Sequence, residues 1–254
     1  MTTAILVARM GSTRFPGKSL QPLSGKPMVE RMVERIAKAR GLDRMVLATT
    51  DRPEDDALAS WAERIGILCH RGPAEDVLGR VHQAWKRFGG ETLVELLGDN
   101  PLVHSSLIDA VMKIYQSGEF DYAVNVTRET PHAPAELPRF PVGIRVQVYS
   151  AETLERCAAA ASDPSDREHS TRYILHHPET FRLGYLPAAG AWAELHQPEW
   201  TFAVNYPKNL ELIRQIFELC APVDPNFSLQ AVMRAAASGK LALERMSQAE
   251  ACAA

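Results

Sequence analysis

A loop rich in cations and hydroxyl groups follows a short apolar run, Ala4-Ile5-Leu6-Val7-Ala8, near the start of the chain. Six residues of this loop have types suited to holding an anion: Arg9, Gly11, Ser12, Arg14, Gly17 and Lys18. A triphosphate needs hydrogen-bond donors from several directions. Backbone N–H groups beside glycine, forked guanidinium groups and a mobile ammonium group supply them together. The loop, here called the cationic loop (residues 9–18), therefore predicts a polyphosphate site, with a solvated basic surface loop as the alternative.

A second candidate for chemistry is Asp99, which follows the apolar run 92–97. It lies between Gly98 and the turn residues Asn100 and Pro101, so the end of a strand would hold its carboxylate rigidly. Mg²⁺ keeps several waters and usually takes one or two protein carboxylates together with phosphate oxygens. One Asp beside a polyphosphate is therefore enough to begin a metal site. The alternative is a turn aspartate that bonds the backbone two residues further on.

Alternating strand and helix patterns must position these two segments. We predict strands at 4–8, 45–48, 67–70 and 92–97, and helices at 28–36, about 51–65 and 77–88. Such repeats are typical of an α/β fold, in which a mainly parallel sheet is covered by helices on both faces. Ligands bind at the carboxyl ends of the strands in these sheets. The cationic loop and Asp99 should therefore share one cleft.

The second half of the chain is less regular. We predict helices at 107–115, 151–161, 166–176, 210–219 and 229–237, strands at 122–126 and 200–204, an antiparallel strand at 143–149, and a proline-rich loop at 130–141. The strand at 200–204 should return to the sheet. The expected organisation is a single domain over residues 1–246, with an insertion or dimerisation segment at about 127–180, followed by a frayed tail at 247–254.

Composition narrows the classes of partner. The 254 residues are 46% hydrophobic and 23% charged, with a formal net charge of -3, which is ordinary for a soluble globular protein. A mildly acidic chain argues against binding of nucleic acid, so the cationic loop favours a small anionic ligand. The four cysteines are scattered without a C-x-x-C pair, and no stretch has the length of a membrane span or the order of a signal peptide. We therefore expect reduced thiols and a cytoplasmic protein without a membrane partner.

The motifs together resemble a known enzyme family. Residues 8–18 are similar to the A-R-x-x-S-x-R-x-P-x-K signature of sugar-acid cytidylyltransferases, which include the CMP-Kdo and CMP-sialate synthetases, and residues 98–102 resemble the second motif of that family. Residues 73–78 and 163–169 resemble the SpsF-like branch of spore coat polysaccharide biosynthesis. The resemblance covers about residues 3–219. It implies a Rossmann-like nucleotide-diphospho-sugar transferase fold, a three-layer α/β/α arrangement whose mainly parallel mixed sheet has a small antiparallel excursion.

The resemblance also implies roles for individual residues. Ser12, Arg14 and Lys18 would hold the phosphates of CTP, and Arg14 and Lys18 would neutralise the charge that grows as pyrophosphate leaves. Asp99 would bind Mg²⁺ and act with Arg14 and Lys18 in catalysis. The implied nucleotide-binding residues are Ala8, Arg9, Gly11, Ser12, Arg14, Lys18, Arg71 and Asp76. For Arg71 and Asp76, a salt bridge at the start of a helix is an equal alternative.

Three segments depart from the family's pattern. Asn205 stands where the late motif V-D-x-P-x-D-L has a metal-binding Asp, so a second Mg²⁺ ligand here would be an uncharged amide oxygen. Val142, Arg145 and Gln147 replace three acids of the branch motif P-D-G-L-D-V-E. Glu95 stands where the branch has an arginine. The residues expected to bind the triphosphate are thus intact, while those expected to face the acceptor are altered.

Four residues are candidates for contact with the acceptor: Arg145, Arg167, His169 and Arg172. Arg145 has the charge to meet a carboxylate or phosphate, with an exposed strand residue as the alternative. In the predicted helix 166–176, His169, Arg172 and Tyr173 share one face. The alternatives there are an ordinary surface ion pair between Glu168 and Arg172, and a dimer interface.

The predicted reaction is attack by a hydroxyl of a sugar acid on the α-phosphorus of CTP, which releases pyrophosphate and leaves a CMP-linked product. The expected partners are CTP, Mg²⁺ and an anionic sugar acid. The family also suggests a homodimer paired through residues 140–172. Two alternatives stay open: another nucleotide or acceptor on the same fold, and a nucleotide-binding protein that has lost catalysis.

Overall fold

A computed structural model describes residues 1–241 and 243, so Cys252 and the expected frayed tail at 247–254 lie outside the described residues. The strands are β1 (Thr2–Val7), β2 (Pro22–Leu23), β3 (Lys26–Pro27), β4 (Arg44–Thr50), β5 (Leu68–Gly72), β6 (Thr92–Leu97), β7 (Tyr122–Asn125), β8 (Val146–Ser150) and β9 (Leu183–Leu186). The α-helices are α1 (Met28–Ile36), α2 (Asp56–Ile65), α3 (Val77–Phe88), α4 (Ser105–Tyr115), α5 (Ala151–Ala160), α6 (Pro164–Arg167), α7 (Arg172–His176), α8 (Pro207–Cys220) and α9 (Leu229–Ala237). Among these described helices, none has the length and apolar character needed to cross a membrane.

The main sheet has seven strands in the order β5-β4-β1-β6-β8-β7-β9. Strands β5, β4, β1 and β6 are parallel, β8 runs antiparallel to both of its neighbours, and β7 pairs in parallel with β9. Successive side chains of a strand point to opposite faces, so the sheet separates two cores. One contains Ile5, Val46 and Leu93, and the other contains Leu6, Leu47 and Val94. Helices pack on both faces, which confirms the predicted three-layer α/β/α class with a mainly parallel mixed sheet.

The carboxyl ends of β1 and β6 lie side by side at Gly98. A Cβ at this position would lie 2.5 Å from the Cβ of Ala8 and 2.9 Å from the carbonyl oxygen of Val7, so only glycine fits. The Gly98 N–H also donates to the Val7 carbonyl at 2.8 Å. This close approach brings the cationic loop next to Asp99, as the sequence predicted.

Two of the predicted elements in the second half are wrong. Residues 200–204 form no strand of the sheet, because β9, which the sequence patterns did not indicate, occupies the edge beside β7. The 200–204 segment makes one bridge, between Val142 and Thr201, and its Val204 N–H donates to the Asp99 carbonyl at 2.8 Å. The segment therefore packs beside the cleft as an extended loop.

The predicted helix at 166–176 is two short helices, α6 and α7, separated by residues 168–171. The hydroxyl groups of Ser170 and Thr171 donate to the side chains of Glu95 and Gln147 in the sheet. These bonds hold the chain between α6 and α7 against the sheet instead of along a single helical axis. His169 lies outside α7, so it does not share a helical face with Arg172 and Tyr173.

Asp55 fastens the cationic loop to the end of β4. Residues Pro53–Asp55 form one 3-10 turn before α2, and the turn directs the Asp55 side chain into the interior, where it is fully buried. Its Oδ1 accepts from the Met10 N–H at 2.6 Å, and its Oδ2 accepts from the Thr50 N–H and the Thr49 hydroxyl, both at 2.9 Å. The position of the loop therefore depends on one carboxylate.

We predict that Asp55→Ala lowers the free energy of unfolding by about 2–4 kcal/mol, because it leaves several buried donors without an acceptor. Asp56→Ala is the matched control, since Asp56 is exposed and pairs with Arg71 at the surface. Its cost should stay below about 1 kcal/mol. Urea unfolding of the two variants measures the difference, and equal stabilities would contradict this role of Asp55.

Candidate functional site

A cleft of about 400 Å³ opens at the carboxyl ends of β1 and β6. Its lining comes from four regions: the end of β1 and the cationic loop (Val7, Ala8, Arg9, Ser12, Thr13, Arg14, Lys18, Ser19), the start of α3 (Ala74, Glu75, Val77, Arg80), the end of β6 (Glu95, Leu97, Gly98, Asp99) and more distant segments (Arg145, residues 168–171, Asn205). This is the place at which parallel sheets bind ligands. The cleft therefore contains the candidate site.

Lys18 and Asp99 are in direct contact in this cleft. The Lys18 Nζ donates to Asp99 Oδ2 at 3.0 Å and to the Val204 carbonyl at 2.9 Å. The side chain of Lys18 is 12% exposed and that of Asp99 is 28% exposed, so both are screened from solvent while still reachable from the cleft. The structure thus brings the ammonium group of the cationic loop to the predicted metal-binding carboxylate.

The backbone of the cationic loop is shaped by hydrogen bonds within the loop itself. The Met10 carbonyl accepts from the N–H groups of Ser12 at 2.8 Å and Gly17 at 2.9 Å. Gly17 has φ 74°, a conformation that glycine adopts without strain. The Ser12 hydroxyl accepts from the Phe15 N–H at 3.3 Å. These turns leave the side chains of Arg9 and Arg14 exposed at the cleft.

Asn205 lies on the wall of the cleft that faces the cationic loop, and it contacts the loop through Arg14. Its Oδ1 accepts from Arg14 Nη2 at 3.0 Å, and the Arg14 guanidinium lies 5.6 Å from the centre of the Tyr206 ring. The backbone of this segment is fixed by Asn209, whose side-chain oxygen accepts from the N–H groups of Asn205 and Tyr206. Arg14 and Asn205 therefore meet across the cleft mouth.

Asn100 links Asp99 to Arg145. With its amide oriented to satisfy both groups, the Asn100 side chain donates to Asp99 Oδ1 at 3.0 Å and accepts from the Arg145 N–H at 3.1 Å. Gly143, at φ 88°, allows the neighbouring backbone to approach closely, since a Cβ there would lie 2.0 Å from the Ala203 nitrogen. The relative positions of Asp99 and Arg145 are thus held by one side chain and one close backbone contact.

Arg145 is a nearly buried cation, and the alternative of an exposed strand residue is wrong. Its side chain is 12% exposed, it precedes β8, and its Nη1 lies 3.8 Å from Glu129. Its buried Nε has no hydrogen-bond partner among the described residues. Burial acts to lower the pKa of Arg145, but the carboxylates of Glu129, Glu95 and Asp99 and the Tyr122 phenol outweigh it and raise that pKa. Arg145 therefore keeps its charge inside the cleft.

His169 also faces the cleft, from the segment between α6 and α7. Its pKa lies below the usual value because its surroundings desolvate the imidazolium and because Arg145 and Arg172 are nearby. The ring is therefore mainly neutral at pH 7, when it offers one donor and one acceptor.

The structure does not bring five predicted residues into the lining that it describes: Gly11, Arg71, Asp76, Arg167 and Arg172. The Asp76 carboxylate caps α3 by accepting from the Gly79 N–H at 2.7 Å, and it pairs with Arg167 Nη2 at 2.7 Å. Arg167 Nη1 also donates to the Ala161 carbonyl at 3.0 Å, beyond the end of α5. Asp76 and Arg167 thus join α3, α5 and α6.

Arg71 and Arg172, although outside the lining, have partners in the structure, and one of them, Glu168, is itself a lining residue. Arg71 donates to the carbonyls of Thr50 at 3.0 Å and Arg52 at 2.8 Å and pairs with Asp56 at 2.6 Å. Arg172 pairs with Glu168 at 2.9 Å, which is the surface ion pair that the sequence offered as an alternative. Both arginines fix local backbone.

Sequence reasoning missed Arg80, whose side chain is almost fully buried in the cleft wall. Its Nη1 donates to the Pro73 carbonyl at 2.6 Å, and its buried Nε has no partner among the described residues. Burial lowers the pKa of Arg80 to about 10, so the side chain stays charged at pH 7. The sequence did contain a signal for its burial. Arg80 comes three residues after Val77 and four before Ala84, which puts it on the apolar face of α3.

Three of the altered residues, Glu95, Arg145 and Gln147, form one connected group. Glu95 in β6 and Gln147 in β8 are directly opposite each other in the antiparallel register. Arg145 lies two residues before Gln147, and its charge interacts with that of Glu95. Each of these three side chains therefore forms part of the surroundings of the others.

Comparison with known proteins identifies the family. A cytidylyltransferase family model matches residues 3–221. The spore coat polysaccharide biosynthesis protein SpsF of Bacillus subtilis is 28% identical over 221 residues, which are 84% of this chain and 85% of that protein. A 3-deoxy-manno-octulosonate cytidylyltransferase of Geobacter sulfurreducens is 38% identical over 107 residues, 42% of each chain. A solved cytidylyltransferase of Leptospira borgpetersenii has the same fold, with a TM-score of 0.81, 22% identity and coverage of 97% of this chain and 98% of its own.

These matches confirm the resemblance that residues 8–18 and 98–102 suggested. The family model spans most of the chain, and its range includes both motifs and every residue of the cleft lining. The protein therefore belongs to the cytidylyltransferase family.

Proposed function

We propose that this protein transfers CMP from CTP to a hydroxyl group of an anionic sugar acid, of the 3-deoxy-ulosonic or nonulosonic type, for surface polysaccharide biosynthesis. The observation that carries the proposal is the contact of Lys18 with Asp99 in a cleft at the carboxyl ends of β1 and β6. The printed names of the relatives support the substrate class, since they include a protein of spore coat polysaccharide biosynthesis and a 3-deoxy-manno-octulosonate cytidylyltransferase. The homodimer and the cytoplasmic location stay predictions.

In the proposed reaction, the acceptor oxygen forms a bond to the α-phosphorus of CTP and the bond between that phosphorus and the bridging oxygen to the β-phosphate breaks. Pyrophosphate leaves with the bonding electrons, and the hydroxyl proton passes to solvent. Lys18 and Arg14 would bind the triphosphate and neutralise the charge that moves onto the leaving group. Ser12 and the N–H groups of the cationic loop would orient it. Alignment and charge neutralisation supply the catalysis, because such transfers leave little covalent work for side chains.

The side-chain oxygen atoms of Asp99 and Asn205 suit Mg²⁺ when oxygen atoms of the substrate complete its coordination. Asp99 offers one carboxylate and Asn205 one amide oxygen, and the described residues contain no cluster of three His, Cys, Asp or Glu side chains. Mg²⁺ commonly binds through one or two carboxylates together with phosphate oxygens and waters. We therefore propose Asp99 and Asn205 as its ligands. When bound, the ion would withdraw charge from the phosphate oxygens.

Arg145 is the proposed partner of the acceptor's acid group. It is charged, screened from solvent and held near Asp99 through Asn100. Its contact with Glu129 is 3.8 Å, longer than a hydrogen bond, so the guanidinium retains capacity for another anion. His169 lines the same end of the cleft and would add one donor. For Arg167 and Arg172, the structural contacts described above weaken the case for direct acceptor binding.

Pyrophosphate release tests the proposed reaction. With Mg²⁺, CTP and a panel of sugar acids, we expect release with at least one acid, and a loss of about 100-fold in Lys18→Ala and in Asp99→Ala, because each removes charge needed in the transition state. Lys38→Ala, at a lysine outside the cleft, is the control. Thermal shift with all four nucleoside triphosphates should show the largest stabilisation for CTP. Absence of release with every acid, or equal stabilisation by all four, would contradict the proposal.

The metal assignment predicts the effect of Asn205→Asp. A second carboxylate should lower the Mg²⁺ concentration needed for half-maximal pyrophosphate release by about tenfold, because charged oxygens bind Mg²⁺ more strongly than amide oxygens. A titration of Mg²⁺ at saturating CTP measures this change. An unchanged Mg²⁺ dependence would remove Asn205 from the set of ligands.

The acceptor assignment predicts the effect of Arg145→Gln. Loss of a charged hydrogen bond should raise KM for the sugar acid at least about tenfold and leave KM for CTP within about twofold. Arg182→Gln is the matched control, because it removes a guanidinium that pairs with Asp121 at the surface, outside the cleft lining. Steady-state kinetics in both substrates separate the two effects. A rise in KM for CTP alone would assign Arg145 to the nucleotide instead.

A further inference from the structure

Glu95 is a buried carboxylate at the floor of the cleft. It is 2% exposed and lines the cleft from β6, four residues before Asp99. Its Oε1 accepts from the Ser170 hydroxyl and, at 3.4 Å, from Gln147 Nε2, while its Oε2 accepts from the Tyr149 hydroxyl. All three partners donate, and an ionised carboxylate accepts only. The hydrogen bonds therefore favour the charged form.

Gln147 extends this group of contacts. Its Oε1 accepts from the Thr171 hydroxyl at 2.6 Å and from the Tyr122 hydroxyl at 2.8 Å. Ser170 is thus fastened to β6 through Glu95, and Thr171 is fastened to β8 through Gln147. Both residues belong to the segment 168–171 between α6 and α7, here called the acceptor segment.

Backbone hydrogen bonds hold the ends of the acceptor segment, where the Glu168 N–H donates to the Pro164 carbonyl at 3.1 Å and the Thr171 carbonyl accepts from the Leu175 N–H at 3.3 Å, and the hydroxyl contacts add anchors to the sheet. Helix α6 ends at Arg167 and α7 begins at Arg172. All four residues of the segment line the cleft, and His169 among them is a candidate acceptor contact. The position of the His169 ring therefore depends on the two hydroxyl anchors that follow it.

Glu95 also balances the cations of the cleft. The charges of Arg145 and Arg80 both act on it, and each of these arginines has a buried Nε without a partner among the described residues. A buried cation without enough compensating charge is costly, so a buried carboxylate that interacts with both arginines stabilises them in the cleft. The Glu95 carboxylate thus fixes the acceptor segment on one wall and stabilises the charged arginines on another.

We propose that Glu95 is a positioning residue that determines acceptor specificity: through Ser170 it sets the acceptor segment, and through its charge it holds Arg145 ready for the acid group of the sugar. The inference rests on the proposed function for the identity of the acceptor. Glu95 need not touch the substrate.

The proposal has a pH dependence. Burial raises the pKa of Glu95, against the opposing effects of the hydroxyls of Ser170 and Tyr149 and the charges of Arg145 and Arg80. The phenol of Tyr122 also faces Glu95, and its pKa is raised as well, so it stays protonated. As the pH falls through the raised pKa, Glu95 loses its charge and the anchor of Ser170 weakens. The wild-type kcat/KM for the acceptor should therefore show an acid limb that Glu95→Gln lacks.

The test compares Glu95→Gln and Ser170→Ala with a matched control, Thr153→Val. Thr153 has a buried hydroxyl with a hydrogen bond to the Asp121 carbonyl, in α5 and outside the cleft lining. We expect the first two variants to raise KM for the sugar acid about tenfold while KM for CTP stays within about twofold. The control should leave both constants unchanged. An unchanged KM for the acid in both variants, or equal rises in both constants, would overturn the proposal.

Hydrogen–deuterium exchange gives a readout that does not require turnover. Peptides covering residues 164–176 should exchange about tenfold faster in Glu95→Gln and Ser170→Ala, because the acceptor segment opens more readily, and peptides covering residues 8–19 should not change. If the wild type releases no pyrophosphate with any acid, the proposed function fails and exchange alone decides the role of Glu95. Unchanged exchange at 164–176 would then overturn it.

Discussion

The site depends on how closely β1 and β6 approach each other at their carboxyl ends. Gly98 has no side chain, and the space that a Cβ would need is filled by Ala8 and Val7. A larger residue would push β6 away and separate Lys18 from Asp99. The ion pair between them, the turn that begins at Asp99 and the backbone bond from Val204 all follow from this one contact.

The two ends of the cleft are built differently. At the end proposed for the triphosphate, the cationic loop is held by backbone turns and by the buried carboxylate of Asp55, and its arginines stay exposed. At the end proposed for the acceptor, charges are buried, and each depends on another: Arg145 on Glu129 and Glu95, and Glu95 on hydroxyl donors. At a solvated end, a single substitution leaves the neighbouring charges in place. At an end of coupled buried charges, a single substitution alters the surroundings of all of them. Glu95, Arg145 and Gln147 all belong to this coupled end of the cleft.

Local patterns predicted the parts of the structure that local forces determine. The alternating strands and helices of the first half, and the meeting of residues 8–18 with Asp99, follow from apolar periodicity and from the rule for strand ends. The predictions failed where distant contacts decide. The predicted helix 166–176 is interrupted where Ser170 bonds Glu95, 75 residues away. Asp76 pairs with Arg167 across 91 residues at the start of α3. The sequence offered such a salt bridge as an alternative for Asp76, but local patterns do not identify a partner so distant in the chain.

A crystal structure of the protein with CTP and a sugar acid, at an Mg²⁺ concentration that supports binding, tests the central claim most directly. The account predicts the triphosphate against Ser12, Arg14 and Lys18, and the acid group of the sugar within hydrogen-bond distance of Arg145. A triphosphate bound away from Lys18, or an acid group directed away from Arg145 into solvent, would contradict it.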